Sequence, residues 1–190
     1  MSGDRPATGA VRPLPLQAAM APPSLATERL LLAPRSLGDI DAMAAMDADP
    51  EVMRYVGDVE DPVLHRSELL TWIPDDEDAP GLGGWTVRPQ AAPERYLGWI
   101  ILYPLDGWEP DVEIGWRFVR DAWGHGYATE AAAAVLRHGF GTLGLERIVA
   151  VLEQENDRSR RVCEKLGMAD AGLRHAYDRD CALYVAERPR

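Results

Sequence analysis

Cysteine and lysine are nearly absent from this sequence. Cys163 and Cys181 are its two cysteines, and they form no CxxC pair and no His/Cys spacing of the metal-binding kind. That argues against a disulfide framework and against a zinc site, so no metal is expected, and two isolated thiols fit a reducing cytoplasm. Lys165 is the sole lysine, which leaves no Gly-Lys-Ser/Thr for a Walker A phosphate loop. Positive charge is scarce altogether: 20 Lys and Arg stand against 31 Asp and Glu, a formal net charge of −11. A nucleic-acid partner would need a basic face, which this balance argues against. Long apolar runs are also missing. No stretch approaches the length of a bilayer-spanning helix, so no membrane partner is expected. The opening segment carries Asp4 and is broken by Pro6, Pro13, Pro15, Pro22 and Pro23, so it reads as neither a signal peptide nor a span.

What remains suits a globular domain. A chain of 190 residues is long enough to bury a sizeable core, and residues 1–24 read as a flexible N-terminal extension before a single domain over 25–190. Glu28–Ala33 is a short apolar run closed by Pro34, the pattern of a first strand. Ser36 followed by Asp39 looks like a helix N-cap, with Leu37, Ile40, Met43 and Ala44 at helical spacing. Pro50 and Pro62 open two further short helices, the second amphipathic from Leu64 to Trp72 and closed by Pro74. After an acidic stretch, Asp75–Asp78, the period changes to two. Trp85–Val87, Tyr96–Tyr103 and Val112–Val119 predict three neighbouring strands in an antiparallel meander.

The clearest helix follows. Ala128, Ala131, Ala132, Val135, Leu136, Gly139, Phe140 and Leu143 repeat at helical spacing, and Gly144 stops it. Ile148–Leu152 is a continuous apolar run, the mark of a strand buried on both faces. Ser159, Val162, Cys163 and Leu166 then share a helix face ended by Gly167, and short strands at Met168–Leu173 and Ala182–Val185 close the chain. This order predicts an α+β (mixed α/β) fold, a central sheet with helices on both faces.

Between the third meander strand and the strong helix lies Trp123-Gly124-His125-Gly126-Tyr127-Ala128. Glycines allow the backbone to approach a ligand, and successive N–H groups at a helix N-terminus converge on an anion such as a pyrophosphate. A dinucleotide fingerprint would need a third glycine where Thr129 stands. By itself the pattern is equally that of a glycine-rich connector without a ligand, with His125 a solvent-exposed loop residue.

The run EIGWRFVRDAWGHGYATEAAAAVLRHGFGTLGLERIVAVLEQENDRSRRVCEKLGM resembles the core of the GNAT acetyltransferases, and in particular the RimJ/RimL-like branch of ribosomal-protein N-terminal acetyltransferases. TERLLLAPRSLGDIDAMAAM resembles the start of the same branch. The resemblance implies a largely antiparallel twisted sheet splayed at a cofactor site, with acetyl-CoA as the acyl donor. The Q/R-x-x-G-x-G/A turn maps onto Trp123, Gly126 and Ala128, with Gly124, His125, Tyr127 and Thr129 filling the loop around the CoA pyrophosphate. Trp123 replaces the Gln or Arg, which matters little where contacts run through the backbone. Phe118 and Val119 would offer backbone groups to the pantetheine arm. Asn156, Ser159, Val162, Glu164, Lys165, Leu166, Gly167 and Met168 match the downstream motif, where the resemblance implies that Asn156 contacts the cofactor arm and that Ser159 lies near its sulfur. Read alone, Asn156 or Asp157 is a helix N-cap and Ser159 a small core-facing residue, and a cap at the ligand's edge can do both.

Acyl transfer to an amine requires a base for the ammonium proton and protonation of the departing thiolate. Glu113, on the strand leading to the turn, is the candidate base, acting through water; a strand residue facing solvent or a structural arginine is the other reading. Ser159 is the candidate acid, with Tyr184 and Tyr177 as outside candidates. Arg161, in a cluster with Arg158 and Arg160, would meet the 3′-phosphate of CoA, or else forms a solvated face paired with Glu155 and Glu164. The acidic stretches around Asp58–Asp61 and Asp75–Asp78 would favour a cationic amine, or are ordinary solvated loops. A protein N-terminus, a polyamine and a small-molecule amine remain open as acceptors. So do a monomer and a homodimer, with Trp72 and Trp108 as candidates for a substrate cleft or a dimer contact. The alternative function is a non-catalytic acyl-CoA-binding module of the same fold.

Overall fold

The computed structural model describes residues 22–57, 59–73, 81–105 and 111–189. Asp58, the acidic stretch Asp75–Asp78, Trp108 and residues 1–21 of the expected extension lie outside them. Pro22 and Pro23, assigned to that extension by sequence, lie against the sheet: Pro22 is buried, and the Trp85 indole donates to the Pro23 carbonyl at 2.8 Å.

Among the described residues, eight strands form one sheet in the order β1-β2-β3-β4-β5-β6-β8-β7. They are β1 (Leu25–Ala26), β2 (Leu30–Pro34), β3 (Gly83–Pro89), β4 (Gly98–Pro104), β5 (Val112–Phe118), β6 (Arg147–Leu152), β7 (Ala169–Ala176) and β8 (Arg179–Glu187). Five helices accompany them: α1 (Ile40–Asp47), α2 (Pro50–Met53), α3 (Pro62–Thr71), α4 (Tyr127–Gly141) and α5 (Asp157–Lys165). Every described pairing is antiparallel except that of β5 with β6, which run parallel and meet at Glu113 opposite Val149. The sheet therefore opens immediately beyond Glu113, and that opening is what positions the site.

The strand period sorts the core into two layers. Ile100, Leu102 and Ile114 turn to one face with Trp85 and Val87 and pack beneath Ala131, Ala132 and Val135 of α4. Trp99, on the opposite face of β4, packs with Ile40, Met43 and Met46 of α1 and Leu69 of α3. Small residues let α4 lie close to the sheet. A Cβ on Gly139 would stand 2.6 Å from Ile148 Cδ1, a distance no side chain tolerates, so glycine sets that approach. The turn that leads into α1 is capped by Ser36, whose N–H and Oγ both donate to the Asp39 carboxylate at 2.9 Å. The single turn after Ser36 is 3₁₀ over Leu37–Asp39, and Leu37 is left exposed.

Three elements depart from the pattern read in sequence. β1 is too short to carry a periodicity of its own. β7 and β8 are longer than the expected Met168–Leu173 and Ala182–Val185, because they form a hairpin joined by Tyr177 and Asp178. Seven of the eight β7 residues are exposed, so ladder hydrogen bonds hold this edge strand, and it shows no apolar alternation to read. Both turn residues have positive φ, 53° and 59°, the combination that a two-residue hairpin usually assigns to Asn-Gly. Holding two non-glycine residues there costs on the order of 1–2 kcal/mol each.

Candidate active site

Two clefts meet where β5 and β6 part. The first, of about 410 Å³, lies between the end of β5, the start of α4 and the face of α5. Phe118, Trp123, Gly124, Gly126, Tyr127, Ala128, Thr129, Asn156, Ser159 and Arg161 all line it. The second, of about 750 Å³, lies on the other side of the opening and is lined by Glu113, Asn156, Ser159, Trp72 and Tyr177, among others. Tyr55, Val56, Trp116, Arg117, Asn156 and Ser159 border both clefts. A molecule in one cleft thus reaches a molecule in the other.

The turn from Gly124 to Thr129 gathers free backbone N–H groups at the start of α4. Gly124 and Gly126 both have φ of 79°, and this left-handed backbone turns successive amides to one side. Gly126 is the N-cap of α4 and supplies no side-chain cap. Among the described residues, no amide from Gly124 to Thr129 finds an acceptor; the first paired amide of the helix is Glu130, which donates to Gly126 O at 3.0 Å. Free N–H groups at the positive end of a 15-residue helix attract phosphate oxygens. The loop is braced from β2. Arg29 pairs with Glu130 at 2.6 Å, donates to the His125 carbonyl at 3.0 Å and lies over the Tyr127 ring. His125 stacks on Tyr127, is exposed, and lines neither cleft.

Val119 also lies outside both clefts. Its amide donates to Leu97 O at 2.9 Å and its carbonyl accepts from Ala122, so both backbone groups already have partners within the protein. The Phe118 carbonyl accepts the Trp123 indole N–H at 2.8 Å, and this bond fixes Trp123 as a wall of the first cleft. Asn156 is the N-cap of α5, its side chain accepting from Ser159 N–H at 3.1 Å, while both residues border the two clefts. Capping and a cleft position coincide here. Of the three arginines in the α5 cluster, Arg158 lies over the Trp123 ring at 4.1 Å and pairs with Glu51, and Arg160 pairs with Asp157. Arg161 lines the first cleft without an ion pair among the described residues, and Lys165, one turn on, does the same. Lys165 entered the sequence reading as part of a motif; its place beside Arg161 follows from the i, i+4 spacing of a helix.

Glu113 is buried, 7% exposed, at the point where the sheet opens. Burial raises its pKa to about 7, against hydrogen bonds from the Tyr177 hydroxyl and the Val151 amide that act to lower it. A carboxylic acid poised near neutrality beside a cleft is the usual condition of a general base. Tyr177 comes to Glu113 across 64 positions of sequence, carried there by the strained hairpin turn. Tyr177→Phe removes a hydrogen bond that favours the ionised carboxylate, so the acid limb of the pH–rate profile is expected to move to higher pH with kcat at its plateau little changed. An unmoved limb in a pH titration of kcat/KM would show that Tyr177 does not set this group. Tyr184 is buried on β8 and lines neither cleft.

Sequence reasoning missed Arg117. It shares the β5 face with Glu113 by the period of two, and its guanidinium sits over Trp99 at 4.9 Å and pairs with the buried Asp47 at 2.8 Å. Asp47 also meets His65 at 2.9 Å, so one carboxylate ties α1, α3 and β5 together under the second cleft. Trp72 lines that cleft. Asp61, within an acidic stretch, caps α3 by accepting from Val63 and Leu64 N–H.

A mixed sheet parted between two parallel strands, with an anion-receiving turn on one side and a buried carboxyl on the other, defines the class of GNAT-type acyltransferases. Comparison with known proteins agrees. Residues 29–169 match the family described as acetyltransferase (GNAT) domain. The chain is 30% identical over 176 residues to the uncharacterized N-acetyltransferase YoaA of Bacillus subtilis, covering 88% of this chain and 98% of that one. It is 32% identical over 167 residues to the FsC-acetyl coenzyme A-N(2)-transacetylase of Aspergillus fumigatus, 82% of this chain and 66% of the other. A crystal structure of a GNAT-family acetyltransferase from Bacillus anthracis superposes with a TM-score of 0.73 at 28% identity, covering 87% and 98% of the two chains. The protein belongs to the GNAT acetyltransferase family and is an acetyl-CoA-dependent acetyltransferase.

Proposed function

We infer that the protein transfers an acetyl group from acetyl-CoA directly to a primary amine, both substrates being bound together. The observation that carries this reading is the meeting of two clefts at Ser159 and Asn156, with unpaired helix-start amides in one and Glu113 in the other. The amides from Gly124 to Thr129 would hold the CoA pyrophosphate, and Arg161 with Lys165 would meet its remaining phosphate. In its ionised form, Glu113 takes the proton of the incoming ammonium through one water. The neutral nitrogen then forms its bond to the thioester carbon, the C–S bond breaks, and the Ser159 hydroxyl, which has no hydrogen-bond partner among the described residues, gives its proton to the thiolate and regains one from the nitrogen, which sheds its extra proton as the amide forms. The ammonium form of the amine suits a chain with a net charge of −11. The RimJ/RimL-like character of the Asp111–Met168 segment fits an amine nucleophile of this kind, a protein N-terminus included, without selecting it.

Thermal unfolding with acetyl-CoA, CoA, ATP and NAD tests the donor. A ligand at a hundred times its Kd adds about 2.7 kcal/mol, so a clear rise in Tm is expected for the two CoA species and none for ATP or NAD. No rise with acetyl-CoA would remove the donor site. A rise without CoA release on any primary amine would leave an acyl-CoA-binding module.

A further inference from the structure

The second cleft is nearly balanced in charge, and the remainder identifies the acceptor. Among the described residues, five groups of formal charge line it: Arg35, Arg117, Arg179, Glu113 and Glu153. Arg117 is neutralised by Asp47 at 2.8 Å, and Arg179 by Glu153. Glu113 is tied to the Tyr177 hydroxyl. Arg35 stands alone. It follows β2, is only 8% exposed, and forms no ion pair among the described residues. Its Nη2 donates to the Trp72 carbonyl, the Tyr103 hydroxyl lies within hydrogen-bond reach, and its Nε has no partner. The carboxylate of Asp39 contributes a weak attraction, but it is already engaged by Arg88 at 2.8 Å and by Ser36.

A buried guanidinium held only by neutral groups carries a desolvation cost that an arriving anion offsets. The planar fork of Arg suits a carboxylate in particular. Trp72, Trp99 and Tyr103 line the same cleft as Arg35 and Glu113, an apolar wall against which an acceptor's side chain can pack. Its volume of about 750 Å³ suits a small molecule. We propose that the acceptor is a small amine that also bears a carboxylate, with the carboxylate on Arg35 and the amino group towards Glu113. This deepens the reading of the protein as an amine acetyltransferase and rests on it. The net acidity of the chain does not oppose it, since a zwitterion has no net charge to repel and the deciding contact lies in the cleft.

The test compares matched acceptors: leucine, leucinamide and isopentylamine, then phenylalanine, phenylalaninamide and phenethylamine, with CoA release measured at saturating acetyl-CoA. Within at least one series the carboxylate is expected to exceed its amide in kcat/KM by about 10- to 100-fold. In Arg35→Gln the ratio of carboxylate to amide falls by a similar factor, while Arg35→Lys retains part of it. Because Arg35 is buried and its variants risk misfolding, a second measurement uses the wild-type enzyme alone. Simple carboxylates that lack the amine, 4-methylpentanoate and 3-phenylpropanoate, are expected to inhibit competitively against the amine and not against acetyl-CoA. Equal or better use of the amides, no turnover of any carboxylate-bearing amine, or absence of competitive inhibition by both acids overturns the proposal. Amide turnover with acetyl-CoA in those cases leaves the acetyltransferase reading intact, whereas failure to bind acetyl-CoA defeats that reading itself.

Discussion

Replacing Glu113 with Gln is expected to lower kcat/KM for the amine by about 10²- to 10⁴-fold, the range of a positioned general base, and to abolish the acid limb of the pH–rate profile. The wild-type limb should fall near pH 7, because burial holds this carboxyl at about 7. Stability should move the other way. A carboxyl whose pKa is raised by folding contributes stability that is fully present below its ordinary pKa of 4.5 and is lost as pH rises through about 7. The substituted amide cannot ionise, so at pH 8 the variant avoids a buried charge and should unfold later than the wild type, by as much as about 3 kcal/mol. At pH 4 the two should be nearly alike. Denaturant unfolding at both pH values, beside the rate profile, checks the pair. A variant that loses activity and also unfolds earlier at pH 8 would place Glu113 in a structural ion pair, and a variant with an unchanged acid limb would assign the limb elsewhere.

Gly126→Val is expected to weaken acetyl-CoA binding by at least about tenfold while leaving the affinity for the amine close to wild type. Space is not the reason, because a Cβ there would meet nothing nearer than Arg29 Nη2 at 3.6 Å. The backbone is. At φ 79° a β-branched residue is a conformational outlier, and the left-handed penalty is on the order of 1–2 kcal/mol, which corresponds to about tenfold or more in Kd. The variant either pays that strain whenever it binds or relaxes the turn and scatters the amides. Calorimetric titration with acetyl-CoA would show it; an unchanged Kd would mean that the amides of this turn are not the phosphate site.

The residues that sequence identified are those whose role is local. The strong helix, the turn before it and the cap of the last helix each depend on contiguous residues, with glycine at positive φ, apolar spacing of helical period, and Asn156 three residues ahead of Ser159. Glu113 was visible for a related reason, as the one carboxylate in the strand leading to that turn. Its pairing with Tyr177, an outside candidate for the acid, was not. Tyr177 sits in a turn that sequence left unassigned, since neither turn residue is glycine and β7 has no buried alternation to delimit it. The backbone commitments of Val119 and His125 were equally out of reach. Both lie in the resembling segment, yet Val119 is taken by Leu97 and the His125 carbonyl by Arg29, contacts set by strands from elsewhere in the chain.

The sequence by itself thus determined most of the elements, the glycine turn before the strong helix and the family resemblance, because short-range periodicity and backbone chemistry are written in neighbouring residues. Only the tertiary structure decided where the sheet opens, which carboxyl is desolvated at that opening, and which charges in the acceptor cleft are already neutralised. Burial and ion pairing are properties of groups brought together from distant strands, and no spacing along the chain records whether Arg35 finds a carboxylate or Arg117 finds Asp47.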